Sequence, residues 1–200
     1  MIVGITGVMG SGKSTVTAIF QSEGYAVVDA DKISRNIMDP QSEVYKNVLD
    51  EFGTSVLNSE KRIDRLKLSE LVFNNPIKLT KLNEITHKAI LKKVTLEIDD
   101  LKRRGENYIA YDCPLPVKHG FMDVVDVIVV VIAPMERRIS FIKKRNPNLS
   151  IEQIKSRIKN QMSDDEYKNI ADYVIENTGS KEELEEKTKK IINNLKIVSK

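Results

Sequence analysis

The strongest chemical signal in the sequence is a glycine-rich segment that ends in a lysine and a hydroxyl residue. Gly7-Val-Met-Gly-Ser-Gly-Lys-Ser14 fits the pattern Gly-x-x-x-x-Gly-Lys-Ser/Thr. The segment follows an apolar stretch and precedes a helical pattern, the context in which such a loop binds phosphate. Glycines let the backbone approach phosphate oxygens, and N–H groups at a helix start carry partial positive charge. We therefore expect six residues to hold the phosphates of a nucleotide: Gly10, Ser11, Gly12, Lys13, Ser14 and Thr15.

The last residues of this loop predict which nucleotide chemistry is present. Lys13 brings a full positive charge to the β- and γ-phosphates, and Ser14 offers a hydroxyl oxygen to Mg²⁺. The loop alone is compatible with a kinase, a GTPase switch or a motor protein. The sequence has no Asn-Lys-x-Asp segment for reading guanine, and its 200 residues are few for a motor. These features favour a small-molecule kinase that uses ATP and Mg²⁺.

Two carboxylates follow the second apolar segment of the chain. Asp29 ends that segment, and Asp31 lies two residues later. The carboxyl ends of parallel strands face the ligand crevice, where a carboxylate can accept the proton of an attacking hydroxyl or support Mg²⁺. If the strand continues, both side chains lie on the same side of it. Asp31 also precedes Lys32-Ile-Ser-Arg35, so these residues are equally compatible with a helix N-cap.

A third carboxylate, Asp112, ends the segment Tyr108–Asp112. Four mostly apolar residues followed by an acid resemble the second acidic motif of phosphate-loop proteins, which orders Mg²⁺ or its water shell. The same spacing is equally compatible with a solvent-facing strand end. Ser14 and Asp112 are therefore the candidate metal-site residues of this chain.

Five short β-rich segments must position these groups. They are Ile2–Thr6, Ala26–Asp29, Tyr108–Asp112, Val127–Ile132 and Tyr173–Glu176. Several are continuously apolar, which is typical of strands buried on both faces. Helical patterns separate them, and this alternation predicts crossover connections. We expect a three-layer α/β fold of the phosphate-loop NTPase type, with a five-stranded parallel sheet.

The long gap between the second and third of these segments predicts a helical insertion. Residues 33–105 contain no convincing strand. Their apolar spacing predicts a helix that ends at Gly53, another that starts near Asp64 and a third that begins at Pro76. We expect a single kinase domain, whose core comprises residues 1–31 and 106–200 and whose helical lobe, about 32–105, binds the acceptor substrate.

The composition excludes several protein classes. A chain with 40% hydrophobic and 30% charged residues can bury a core and is not a disordered tail. The net charge of +3 suits a small anionic substrate but does not favour nucleic acid. Cys113 is the only cysteine, so there is neither an intrachain disulfide nor a cysteine cluster for zinc. The absence of a long apolar run and of a secretory signal predicts a cytoplasmic protein with no membrane association, and we expect a monomer or a weak homo-oligomer.

Further motifs, in their order and spacing, resemble the dephospho-coenzyme A kinase family over nearly the whole chain. Beyond the phosphate loop, the matching segments are Asp29-Ala-Asp31-x-x-x-Arg35, Phe52-Gly53, Ile63-Asp-Arg65-x-x-Leu68, Val72-Phe73, His87, Pro114-Leu115, Arg157-Ile-x-x-Gln161 and Ala171-Asp-x-Val-Ile-x-Asn177-x-Gly179. The resemblance implies that ATP phosphorylates the 3′-hydroxyl of the ribose in dephospho-coenzyme A, giving coenzyme A and ADP.

The resemblance also implies roles for individual residues. Asp31 matches the base that acts on the ribose hydroxyl, which favours the catalytic interpretation of this residue over the N-cap. The acceptor site would be lined by Arg35, Arg65, His87, Pro114 and Leu115. Arg145 and Arg157 match a lid over ATP, about residues 141–165, and Asn177 to Gly179 match the loop beside the adenine. Family members commonly have another lid arginine four positions before Arg145, where this chain has Phe141; Arg137 or Arg138 is the candidate replacement.

Overall fold

The computed structural model describes residues 1–73 and 75–198, which form two compact units. The first unit, Met1–Asp29 with Asp100–Lys200, contains a five-stranded parallel sheet. Its strands are β1 (Ile2–Gly7), β2 (Ala26–Asp29), β3 (Ile109–Asp112), β4 (Val127–Ile132) and β5 (Tyr173–Glu176), and their spatial order is β2-β3-β1-β4-β5. The predicted parallel sheet of five strands is confirmed, and the predicted strand limits are correct to within one residue.

The helices of the described residues alternate with these strands, as the crossover prediction requires. In chain order they are α1 (Lys13–Ser22), α2 (Ala30–Asn36), α3 (Glu43–Phe52), α4 (Arg65–Phe73), α5 (Pro76–Arg103), α6 (Met135–Arg145), α7 (Ile151–Lys159), α8 (Asp164–Asn169) and α9 (Lys181–Val198). None of the helices among the described residues is both long enough and apolar enough to cross a bilayer.

The sheet is buried on both faces, which explains why its central strands are continuously apolar. On one face, Val3 and Ile5 of β1 share a core cluster with residues of α1 and α9, including Phe20 and Ile192. On the other face, residues of β4 pack with Tyr167 of α8. All six residues of β1 are buried. The result is a three-layer arrangement in which the carboxyl ends of the strands remain at one edge of the sheet.

The second unit, Ala30–Asp99, is built from helices around its own core. Its core cluster includes Val44, Val48 and Phe52 of α3 together with Leu68 and Val72 of α4. The three helices predicted in this region are confirmed: α3 ends before Gly53, α4 starts after Asp64, and α5 starts at Pro76. The insertion between β2 and β3 is therefore helical, as predicted.

Two of the helices between β4 and β5, α7 and α8, start with side-chain caps, which a serine followed three residues later by glutamine or glutamate predicts from the sequence. Ser150 and Gln153 form a capping box at the start of α7, and Ser163 and Glu166 form another at the start of α8. In each box the serine oxygen accepts a bond from the third helical amide, while the Gln or Glu side chain accepts one from the serine amide. These caps fix the residues at which α7 and α8 begin.

Candidate active site

The glycines of the phosphate loop adopt backbone conformations that other residues rarely reach. Gly10 has a φ of 79° and Gly12 a φ of 95°, both in the left-handed region. A Cβ on Gly10 would lie 2.8 Å from the carbonyl oxygen of Arg138, and a Cβ on Gly12 would lie 2.6 Å from Nδ2 of Asn177. The loop therefore requires glycine at both positions, for conformation and for space.

The loop presents a row of backbone N–H groups that the described part of the protein does not use. Among residues 1–73 and 75–198, no acceptor meets the amides of Gly10, Gly12, Lys13 or Ser14. The first amides of a helix have no partner inside it, and α1 begins at Lys13. A cluster of unpaired amides at a helix start is suited to bind phosphate oxygens.

Two of the six predicted nucleotide contacts have their amides occupied within the loop. The Ser11 amide donates to the carbonyl oxygen of Val8 at 3.1 Å, and the Thr15 amide donates to that of Gly12 at 2.9 Å. The hydroxyl of Ser11 is buried, and it has no hydrogen-bond partner within the described residues. The amides available to a ligand are therefore those of the other four residues.

The Lys13 ammonium is held at the carboxyl end of β3. It forms an ion pair with Oδ1 of Asp112, while the Thr17 hydroxyl donates to Oδ2 of the same carboxylate at 2.7 Å. Asp112 is 8% exposed, so the solvent-facing alternative for this strand end is wrong. The carboxylate thus fixes the lysine of the loop, and Thr17 fixes the carboxylate. The sequence pattern did not single out Thr17, because a threonine inside a helix carries no motif.

The strand register places the acidic residues of β2 and β3 side by side. Asp29 pairs in register with Asp112, which in turn pairs with Ile5 of β1. Both carboxylates therefore lie at the carboxyl edge of the sheet, as expected. The next residue, Cys113, is not a nucleophile of this site, since burial raises the pKa of its thiol and the thiol donates to the carbonyl oxygen of Leu115 at 3.2 Å.

Oxygen donors that suit Mg²⁺ are present at this edge. The Ser14 side chain is exposed at the start of α1, and Asp112 contributes a carboxylate already bound to Lys13 and Thr17. A hydroxyl and a carboxylate are hard oxygen ligands, as Mg²⁺ prefers. Within the described residues no group of three or more His, Cys, Asp or Glu side chains could hold a metal alone. The donor set fits an ion that is bound largely by substrate phosphates.

The loop after β5 contacts the phosphate loop through Asn177. Its Nδ2 donates to the carbonyl oxygen of Ser11 at 2.7 Å, and its side chain is 3% exposed. Its Oδ1 is buried and has no partner within the described residues. Two residues later, the Gly179 carbonyl oxygen accepts a bond from Nη2 of Arg137 at 2.6 Å. Asn177 therefore supports the phosphate loop directly. The resemblance implied only that Asn177 lies in the loop beside the adenine, and it did not predict this contact.

Replacing Asn177 by aspartate tests this contact. The variant removes the donor to Ser11 and sets a carboxylate against a carbonyl oxygen in a buried position, so we expect the free energy of unfolding to fall by about 2–4 kcal/mol. Chemical denaturation measures the change. The matched control is Thr178→Ala, at an exposed neighbouring position, which should change stability by less than about 0.5 kcal/mol. Equal stabilities of the two variants would contradict the assignment.

The structure distinguishes the arginines of α6. Arg145, at the last residue of the helix, is exposed and has no hydrogen bond or ion pair with the described residues. Arg137 lies with its guanidinium carbon 5.1 Å from the centre of the Phe141 ring. Arg138 points inward and is 4% exposed. Of the two candidates to replace the missing lid arginine, Arg138 is therefore committed to internal contacts, whereas Arg137 lies over the position of that arginine.

Asp31 lies in the second unit, within the first turn of α2. The helix already begins at Ala30, so Asp31 is not its N-cap, and that alternative is wrong. The strand ends at Asp29, which also excludes the expected period-two alternation of Asp29 and Asp31. Asp31 is exposed, and no hydrogen bond or ion pair within the described residues occupies its carboxylate. Its carboxylate is therefore available to a ligand.

Two of the predicted acceptor residues are in contact within the second unit. Nη2 of Arg65 donates to the carbonyl oxygen of Arg35 at 2.6 Å, which joins the start of α4 to the end of α2. His87 is exposed on α5. In the first unit, Pro114 follows β3 and its carbonyl oxygen accepts a bond from the Tyr167 hydroxyl at 3.1 Å, while Leu115 is 54% exposed.

Comparison with known proteins places this chain among kinases. The family model described as dephospho-CoA kinase matches residues 1–183. A dephospho-CoA kinase of Carboxydothermus hydrogenoformans is 40% identical over 98% of this chain and 94% of its own length, and one of Corynebacterium diphtheriae is 40% identical over 92% of each chain. The structure of dephospho-CoA kinase from Campylobacter jejuni superposes with a TM-score of 0.74 at 28% identity, covering 100% of this chain and 98% of that one.

Proposed function

This chain belongs to the dephospho-CoA kinase family, and from that premise we propose how its residues transfer the γ-phosphoryl group of ATP to the 3′-hydroxyl of dephospho-coenzyme A. It is an ATP-dependent kinase of the phosphate-loop fold. Phosphoryl transfer depends on positioning and on neutralising charge more than on covalent chemistry. The residues of this site therefore bind the substrates, orient them or neutralise charge.

The observation that carries this proposal is the row of unused amides at the start of α1. The amides of Gly10, Gly12, Lys13 and Ser14 donate to phosphate oxygens of ATP, and Lys13 adds a full charge at the β- and γ-phosphates. Asp112 and Thr17 hold Lys13 before the nucleotide arrives. Because these donors are already oriented, the loop need not reorganise when charge develops on the transferred group.

Mg²⁺ is proposed to accompany ATP. The Ser14 hydroxyl would hold the ion, with Asp112 orienting its water shell. When bound, the ion neutralises charge on the β- and γ-phosphates. Lys13, held by its ion pair with Asp112, would share that task.

The helical unit is proposed to supply the acceptor site. Asp31 orients the ribose 3′-hydroxyl and accepts its proton as the phosphoryl group is transferred. Arg35 and Arg65 bring positive charge suited to the phosphates of dephospho-coenzyme A, and His87 offers a ring nitrogen to the same substrate. The bond from Arg65 to the Arg35 carbonyl oxygen holds these two arginines together.

The acceptor panel tests this function. ADP release is measured with dephospho-coenzyme A, adenosine, AMP, shikimate and no acceptor. Among these acceptors, we expect rapid ADP release only with dephospho-coenzyme A and slow ATP hydrolysis with the others or with none. The reason is that closure of the site around the correct acceptor excludes water and commits the phosphoryl group to that acceptor. Equal release with and without dephospho-coenzyme A would indicate an ATP-dependent switch, and preference for another alcohol would indicate a different kinase.

Light scattering in the same buffer would test the proposed monomer or weak homo-oligomer.

Arg145 is proposed to neutralise the γ-phosphoryl group as it moves. Its exposed position without a protein partner means that Arg145→Ala should leave the free energy of unfolding within about 0.5 kcal/mol of its original value. We expect kcat to fall about 10²–10³-fold while dephospho-coenzyme A binding stays the same. Steady-state kinetics and acceptor titration measure both.

The matched control for Arg145 is Lys144→Ala, which removes the neighbouring exposed charge on the same helix. It should leave kcat within about twofold if the effect belongs to the guanidinium rather than to the general charge of α6. A raised KM for dephospho-coenzyme A with an unchanged kcat in Arg145→Ala would instead assign Arg145 to the acceptor site.

A further inference from the structure

Met9, one of the unspecified residues of the glycine-rich motif, is bound by the segment that follows β4 through both its backbone and its side chain. Its amide donates to Oε1 of Gln161 at 3.0 Å, and its carbonyl oxygen accepts a bond from Nε of Arg138, also at 3.0 Å. Its side chain packs against the cluster of Ile142, Ile154 and Ile158, which joins α6 to α7. The backbone N–H, the backbone carbonyl and the side chain of Met9 are therefore all in contact with elements outside the loop.

The arginine of this arrangement is itself fixed. Nη1 of Arg138 donates to Oδ1 of Asp164 at 3.1 Å, and Arg138 is 4% exposed. Burial lowers the pKa of Arg138, while the negative charge of Asp164 opposes that shift. The carbonyl oxygen of Arg138 also lies 2.8 Å from the position that a Cβ on Gly10 would take, so α6 contacts the loop by close packing as well as by hydrogen bonds. We call Arg138, Gln161 and Asp164, with the cluster of Ile142, Ile154 and Ile158, the Met9 anchor.

We infer that the Met9 anchor sets the conformation of the phosphate loop. Through their contacts with Met9, α6 and α7 thereby control the affinity of the loop for the triphosphate of ATP. This inference rests on the proposed ATP site. Arg138 and Gln161 are positioning residues, since they contact the loop rather than the reacting atoms. The next residue after Met9 is Gly10, whose amide is the first of the unused donors, so any rotation of the Met9 peptide groups redirects it.

The expected size of the effect follows from the fraction of loops in the binding-competent conformation. An apparent Kd rises by the factor by which that fraction falls. If loss of one anchor bond leaves the loop competent about one-tenth of the time, the Kd of ATP rises about tenfold. Inorganic tripolyphosphate, which contacts the loop without an adenine, should weaken by the same factor. The KM of dephospho-coenzyme A should stay within about twofold, because no acceptor residue is changed.

Gln161→Met tests the anchor, since methionine keeps the chain length but accepts no bond from the Met9 amide. The matched control is Gln153→Met in the first turn of α7, where the glutamine side chain accepts a bond from the Ser150 amide rather than from the phosphate loop. We expect a tenfold rise in the Kd of ATP and of tripolyphosphate for Gln161→Met and less than a twofold rise for Gln153→Met. Equal rises would mean a general loss of helix stability and would overturn the inference.

Arg138→Lys is the second variant, which keeps a buried positive charge beside Asp164 but cannot reproduce both bonds of the guanidinium. It should also raise the Kd of both probes, and amide hydrogen exchange at Met9 should accelerate in Gln161→Met relative to the original protein. Unchanged hydrogen exchange at Met9 together with unchanged Kd values would overturn the inference that the Met9 anchor sets the loop conformation. The Kd and hydrogen-exchange readouts do not require turnover, so they remain decisive even if the original protein fails to phosphorylate dephospho-coenzyme A, the separate result that would overturn the proposed function.

Discussion

Asp31→Asn is expected to lower kcat with dephospho-coenzyme A about 10²–10⁴-fold while ATP binding is retained. Asparagine keeps the size and polarity of the side chain but cannot accept the ribose proton, and the loss of a general base typically reduces rates by this factor. Asp31 is exposed in the first turn of α2, where a negative charge stabilises a helix by about 0.3–1 kcal/mol. The free energy of unfolding should therefore fall by no more than that. Single-turnover kinetics, ATP titration and denaturation measure the three quantities.

The control for Asp31 is Asp50→Asn, which removes an exposed carboxylate from α3 in the same helical unit. It should leave kcat unchanged within about twofold. A fall in kcat of only about 10²-fold in Asp31→Asn would mean that Asp31 mainly orients the hydroxyl. A loose transition state needs little help from a base before transfer. Full activity of the variant would remove Asp31 from the mechanism and make Asp29 or Asp112 the next candidate.

Lys13→Met should lower kcat about 10²–10³-fold and weaken ATP binding, because it removes the charge placed at the β- and γ-phosphates. The ion pair with Asp112 adds a consequence that the motif does not predict. The carboxylate keeps its bond from Thr17 but loses its charged partner in a largely buried position, so the variant should also lose about 1–3 kcal/mol of stability. Kinetics, nucleotide titration and thermal denaturation measure these effects together.

A surface lysine provides the control for Lys13. Lys168 forms an exposed ion pair with Glu176, of a kind that contributes at most about 1 kcal/mol. Lys168→Met should therefore retain ATP affinity and turnover. An unchanged ATP affinity and kcat in Lys13→Met, with or without a change in stability, would contradict the assignment of Lys13 to the phosphates.

The parts of the molecule that follow local rules were predictable from the sequence. Continuous apolar segments such as Val127–Ile132 predicted buried parallel strands, and serine with glutamine or glutamate three residues later predicted the starts of α7 and α8. The phosphate loop was predictable because its chemistry requires glycine where the backbone is left-handed, at Gly10 and Gly12. Each of these signals is contained in a few neighbouring residues.

The contacts that support the site were not predictable, because they join residues far apart in the chain. Thr17 with Asp112, Asn177 with Ser11 and Arg138 with Met9 are separated by 95, 166 and 129 positions. No spacing rule relates such pairs, and Arg138 on a strongly charged helix would be expected to face solvent. Asp31 illustrates a local failure: aspartate is a good N-cap, but the helix begins one residue earlier, which places Asp31 inside the first turn.

The reaction proposed for this chain is phosphorylation of the 3′-hydroxyl of dephospho-coenzyme A. It is tested most directly by ³¹P NMR of the purified protein incubated with ATP, Mg²⁺ and dephospho-coenzyme A. We predict that a new phosphomonoester resonance, coupled to the ribose 3′ proton, grows at the same rate as ADP. Growth of inorganic phosphate in step with ADP, with no phosphomonoester or with the phosphate on another hydroxyl, would contradict the account.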